Sequence, residues 1–175
     1  MEIQPASLAF TLLLTGEAAR AVPSIVSAIA PYRSTGATLY MSYYLCHLAR
    51  AYADLRQFDD ARRCIGEATA TARASGTKWL DAEIRRVGSD IEMLSPERDE
   101  AKAQTHFERA LEIARAQQAR SWELRAATSL ARLRRDQVRR DEAYEFLAPV
   151  YGWFTEGFDT LDLVEAKALL AELAA

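Results

Sequence analysis

The sequence predicts an all-α chain of helical hairpins stacked side by side. Two observations carry this: one apolar skeleton recurs four times at a spacing of about 40 residues, and within each copy the apolar positions are separated by three, four or whole helical turns. No alternating strand pattern survives the intervening turn residues.

The second unit, about residues 37–75, shows the pattern most clearly. Leu45, Leu48, Ala49 and Tyr52 form a stripe on one helix, and Phe58, Ala61, Ile65 and Ala68 form another on the next. Moving back 40 residues gives Leu8, Ala9 and Leu12, then Ala18, Ala21, Ile25 and Ala28, which defines a first unit over about 4–34. In the third unit, about 79–119, Ile84, Val87, Gly88 and Ile91 are followed by Ala103, Phe107 and Ala110, with an inserted polar link at 95–100. The fourth, about 121–155, keeps Ala127, Leu130, Ala131, Ala143, Leu147 and Val150 and is the most degraded. A closing helix over 160–174 places Leu163, Ala166, Leu170 and Leu173 inward and Glu165, Lys167 and Glu172 outward, as a lid for an open stack. Tyr151, Trp153, Phe154 and Phe158 are expected to pack beneath it.

The small residues account for the repeat. Two helices approach closely only where one presents little side chain, so Ala49 and Ala61 are read as crossing points. A lone hairpin cannot bury both of its faces, and the array grows sideways as a single domain over 1–175. Gly16, Gly36, Gly76 and Gly157 fall where helices should end, Pro96 opens the inserted link, and Asp159 with Thr160 is placed to cap the last helix.

At these positions the chain resembles the tetratricopeptide-repeat (TPR) family, in which a small residue and an aromatic on a first helix meet an aromatic, an alanine and a bulky apolar residue on the second. The resemblance implies a right-handed α-solenoid of about four TPR-like hairpins plus a carboxy-terminal capping helix. Residues 32–37, 110–115 and 123–133, and most distinctively Ala148-Pro149-Val150-Tyr151-Gly152-Trp153-Phe154-Thr155-Glu156-Gly157-Phe158-Asp159-Thr160, resemble the carboxy-terminal repeat region of bacterial multidomain regulators. In those proteins the region follows a nucleotide-binding ATPase module and often an adenylate cyclase or a DNA-binding domain. Arg134 and Val138 stand where the family tends to carry an aromatic and a glycine, which leaves the geometry of the fourth turn open.

A repeat scaffold of this kind implies a protein-interaction or regulatory module. The first helix of each unit lines the concave side, and its groove-facing positions include Tyr43, Arg50, Arg85, Arg125, Thr128, Arg132 and Arg135. Five of these seven are arginines, whose forked donors suit carboxylates, so the expected partner is a protein or an acidic peptide. The bland alternative is that they are solvated or paired with acids such as Glu92 or Asp136. A self-associating structural module and a small-ligand sensor are the other two readings. The first of these rests on Phe10, Leu13 and Leu14, which give the amino-terminal helix a second apolar face that a homodimer could cover.

The remaining chemistry excludes more than it suggests. Twenty-two basic against 25 acidic residues give a net charge of −3, so no field is expected to gather nucleic acid. The basic run over 132–140 is broken by Asp136 and has no interleaved aromatic for base stacking. Residues 8–14 are apolar but too short to span a bilayer, and Glu2 stands where a secretory leader would carry a basic residue. Cys46 and Cys64 form no metal-ligand spacing with His47 or His106 and are read as reduced core thiols of a cytoplasmic protein. No phosphate-cradling glycine loop, nucleophile motif or desolvated carboxylate pair is found, so neither an enzyme nor a cofactor is expected.

Overall fold

The computed structural model describes residues 12, 13, 15–38 and 40–175. Among the described residues there are eight complete helices and no strand: α1 Ala18–Thr35, α2 Met41–Asp54, α3 Phe58–Ser75, α4 Asp81–Leu94, α5 Glu100–Ala116, α6 Arg120–Asp136, α7 Arg140–Tyr151 and α8 Leu161–Ala174. They fall into two compact units, Met1–Arg98 and Asp99–Ala175. The boundary lies in the inserted polar link.

In the first unit α1, α2, α3 and α4 pack in succession, and α2 also lies against α4. In the second, α5 to α8 pack in succession, and α6 also lies against α8. Helices that skip one neighbour therefore form a layer of their own in each unit, as expected where the first helices of successive hairpins stack on one another. The two alanines predicted as crossing points, Ala49 and Ala61, have no exposed surface, and neither do Ala21, Ala110, Ala127 and Ala143. Gly88 serves the same end on α4, since a Cβ there would stand 3.3 Å from Ile65 Cγ2 on α3. Around the crossings Ile25, Leu45, Val87, Ile91, Phe107, Leu130 and Leu147 are almost fully buried, each contributing about 1.5–3 kcal/mol of apolar burial. The stripe on α1 ends one residue later than predicted, on Ile29 rather than Ala28. On α8 it is Leu169 that is buried, with Leu170 half-buried beside it.

The links repeat as faithfully as the helices. Six of them carry the same reverse turn, in which one residue takes a left-handed conformation and the next donates its N–H back to the carbonyl five residues earlier. The donors and acceptors are Glu17 to Leu12, Ala37 to Tyr32, Gln57 to Tyr52, Thr77 to Ala72, Ala119 to Ala114 and Arg139 to Arg134, at 2.8–3.1 Å. The left-handed residue is Gly16, Gly36 or Gly76 in three of these turns, and Arg56, Gln118 or Val138 in the other three. The fourth hairpin thus keeps the glycine-type turn with a β-branched residue at φ 63°.

Two links differ. After α4, Ser95 is extended ahead of Pro96, which disfavours a helical residue before it. After α7 the chain passes through Gly152 and a left-handed Gly157 before entering α8. Thr160 does not cap α8 as predicted; its hydroxyl turns back to donate to the Gly157 carbonyl at 2.7 Å. α5 is the helix with a side-chain cap, Asp99 accepting the Lys102 N–H at 3.0 Å.

Candidate functional site

The predicted groove residues separate into two groups with different surroundings. In the first unit Tyr43, His47 and Arg50 follow one another along one face of α2 at helical spacing. Tyr43 is half-buried, its ring 4.5 Å from that of His47 in an edge-on arrangement and 6.2 Å from Trp79, which precedes α4. Tyr44 lies 5.3 Å from Tyr32, and its hydroxyl is pushed up to about 12, first by burial and then by its hydrogen bond to Tyr32. Tyr40 and Trp79 keep 48% and 40% of their surface exposed at the edge of this aromatic group. Arg50 and Arg85 are both exposed, and neither makes an ion pair among the described residues. Desolvation raises the Asp54 carboxyl one turn after Arg50, with the Arg50 charge opposing it.

One residue beyond Arg85 the environment inverts. Arg86 is 6% exposed and donates both Nε and Nη2 to Glu83, each at 2.7 Å, and Nη1 to Asp90. Glu83 is itself 4% exposed. The group lies close to α2: the Cys46 thiol is raised chiefly by its own burial and next by the Glu83 charge. Glu83 and Arg86 are not among the predicted site residues, although an acid and an arginine three apart on one helix are a recognisable pair.

In the second unit the predicted groove arginines are occupied. Arg125 Nε donates to Asp162 at 2.7 Å, Arg132 Nη2 to Glu165 at 2.6 Å and Arg135 Nη1 to Glu172 at 3.1 Å. All three acids belong to α8, so the pairs run as a ladder along the contact between α6 and α8. Arg135 also reaches Asp136, one of the two acids named as alternatives for the groove arginines; the other, Glu92, pairs with Arg62. Glu165 and Glu172, expected to face outward, stay 41% and 53% exposed and reach α6 at its edge. Thr128 is not exposed as predicted: it is 5% accessible and donates to the Leu124 carbonyl of its own helix at 2.8 Å. The rest of the basic run is engaged as well. Arg134 stacks over Phe146, Arg139 pairs with Glu142, and Arg140 donates to the Glu172 carbonyl.

The aromatic group before α8 divides. Tyr151 and Phe154 pack against the core of the second unit, as expected. Trp153 stays 63% exposed with the Arg120 guanidinium 3.8 Å above its ring, and Phe158 stays 48% exposed. Glu123, 5% exposed, is held between Arg115 and Arg120 at 2.9 and 2.7 Å.

Phe10 and Leu14, proposed for self-association, lie outside the described residues; Leu13 is half-buried. Among the described residues no group of three metal-ligating side chains is found, and no helix is long and apolar enough to cross a membrane. Cys46 and Cys64 are buried free thiols, the latter raised by burial to about 11.

No protein-family model and no curated protein sequence matches this chain. Solved structures do. A crystal structure of nearly identical TPR-like repeats from a Podosopora anserina protein assigned as a kinesin light chain is 19% identical, with a TM-score of 0.64 over 99% of this chain and 87% of that one. A point-substituted form of those repeats gives the same values. At this identity the likeness shows the fold, and the fold is an all-α array of TPR-like helical hairpins.

Proposed function

We propose that the chain is a protein-interaction scaffold that holds an acidic peptide on the face shared by α2 and α4, with Tyr43, Arg50 and Arg85 as its contacts. The observation that carries this reading is the contrast between the two units. Arg125, Arg132 and Arg135 are engaged by acids of α8, whereas Arg50 and Arg85 are exposed with no ion pair among the described residues. A guanidinium in that state offers paired donors to an incoming carboxylate without first breaking an internal bond. Tyr40, Tyr43 and Trp79 add rigid apolar surface beside them, the combination typical of peptide-binding hot spots.

The broader setting rests on resemblance. Residues 148–160 support a place in the repeat portion of a cytoplasmic bacterial regulator of the ATPase or adenylate cyclase type, with residues 1–175 acting as a single receiver domain. The scaffold would then transmit occupancy of the α2–α4 face to an effector, with no catalytic step of its own.

Fluorescence anisotropy with a panel of labelled peptides of graded glutamate content tests the reading. Affinity should rise with acidity and weaken at high salt. Replacing Arg50 and Arg85 together with alanine should weaken binding by at least about tenfold, since hydrogen bonds to charged groups contribute about 1.5–3 kcal/mol each. Unchanged affinity in that variant rejects the site, and binding indifferent to peptide charge rejects the proposed chemistry.

A further inference from the structure

The outer face of α8 carries a second apolar stripe that the fold leaves uncovered. Leu163, Ala166, Leu169 and Leu173 are buried against the second unit. On the opposite side Leu161, Val164, Ala168, Ala171 and Ala175 recur at alternating steps of three and four, and all five are exposed, Leu161 at 43% and Val164 at 48%. Steps of three and four are the seam of a two-stranded coiled coil, narrower than the stripe a helix turns toward a globular core. A helix apolar on both sides expects cover on both sides.

We infer that this seam pairs with the same seam of a second copy of the chain, α8 running parallel to α8. Charge decides between occupants and orientations. With Leu161 and Ala168 as one set of core positions and Val164 and Ala171 as the other, Lys167 and Glu172 occupy the two flanking positions that meet across a parallel pair. Lys167 is exposed and has no ion pair among the described residues. In-register pairing sets Lys167 of one copy against Glu172 of the other on both sides of the seam; Glu172 already accepts from Arg135, but its carboxylate is 53% exposed and keeps acceptor sites for a second cation. An antiparallel pair would bring Glu165 and Glu172 to the same side, which is repulsive. The ladder from Arg125, Arg132 and Arg135 to Asp162, Glu165 and Glu172 holds the helix with this seam outward. The alanines allow the backbones to approach closely, and Leu161 with Val164 supplies most of the apolar area.

The seam is one helix of 14 residues, about 21 Å long, so it buries less than the roughly 1,200 Å² of a standard interface and the dimer should depend on concentration. Sedimentation equilibrium of the full chain from about 10 μM to about 1 mM reads this directly. Dimer should accumulate across that range, and Val164→Glu should raise the dissociation constant at least about tenfold while leaving the circular dichroism melt unchanged. Because Cys46 and Cys64 are buried, Ala171→Cys supplies the sole exposed thiol, and mild oxidation should link two copies through it. Val138→Asn, on an exposed residue away from the seam, should leave association unchanged. A chain that stays monomeric throughout, a dimer that survives Val164→Glu, or an Ala171→Cys variant that dimerises without forming the disulfide each overturns the proposal. So does a dimer whose linkage instead requires cysteines at 161 and 175 on opposite copies.

Discussion

Replacing Val138 with glycine should stabilise the protein. Val138 sits at φ 63°, in the left-handed turn between α6 and α7, with 85% of its surface exposed. For a residue with a Cβ that conformation costs roughly 1–2 kcal/mol, the upper end applying to a branched side chain. Glycine escapes this, while its greater freedom in the unfolded chain takes back about 0.5–1 kcal/mol. The two hydrogen bonds that define the turn, Val138 N–H to Arg135 and Arg139 N–H to Arg134, each 2.9 Å, are made by backbone atoms and survive the change. An exposed valine gives up little burial. The net gain is about 1–1.5 kcal/mol, which in a chain of this length raises the melting temperature by about 2–6 °C. Gly76→Ala supplies the mirror experiment in the same kind of turn. Nothing lies within 4 Å of the added Cβ and φ is 68°, so its loss of about 1 kcal/mol would be conformational and not steric. Urea titrations of both variants measure the pair. If Val138→Gly is neutral or destabilising while Gly76→Ala destabilises, the assignment of strain to Val138 is wrong.

Gly66, exposed in the middle of α3 with open space around it, should become about 0.5–1 kcal/mol more stable as alanine, measured by the same titration. Arg86→Ala leaves the Glu83 carboxylate buried without its forked partner and should cost about 3–5 kcal/mol, most of it recovered when Glu83→Leu and Arg86→Met are combined. Arg132→Ala should cost less than about 1 kcal/mol, because both members of its pair are about two-fifths exposed, and the difference from wild type should vanish near 1 M salt. Burial lifts the Cys64 thiol from 9.0 to about 11 and the Cys46 thiol further, so above pH 9 the native state holds protons that the unfolded chain has released. Stability should therefore fall as pH rises from 9 toward 11. Serine at both positions should reduce that slope without removing it, since the Tyr44 and Tyr52 hydroxyls are raised too.

The helical hairpins could be read before any coordinates because apolar spacing reports which side of a helix is buried, and that side is set by the nearest neighbours in sequence. Ala21, Ala61 and Ala143 mark crossings wherever the period places them. The turns were half legible. A glycine announces a left-handed residue because it pays no Cβ penalty there, and Gly16, Gly36 and Gly76 were placed correctly. Arg56, Gln118 and Val138 carry no such signal, since nothing in their side chains favours that conformation. What holds them is the backbone bond closing each turn and the packing of the helices on either side, and their shared slot becomes visible only when the links are aligned with one another.

The arginines show where such a reading stops. Arg85 and Arg86 are neighbours about 100° apart around α4, yet one is exposed and the other is sealed against Glu83. Helical phase separates the two directions but does not say what stands in each. Arg85 and Arg125 have the same place in the period, 40 residues apart, and the same predicted role. Arg125 is nonetheless bonded to Asp162, because α8 returns across α6 and brings its own acids with it. That return depends on how the link through Gly152 and Gly157 turns, which no periodicity fixes. A positive charge on a repeat face is therefore open to a partner only where the chain has not already supplied the carboxylate. Exchanging Asp162, Glu165 and Glu172 for their amides should, by this logic, turn the α6 face into a second acidic-peptide site, detectable as a rise in anisotropy stoichiometry from one peptide to two. A stoichiometry that stays at one would mean that those arginines are held by more than charge.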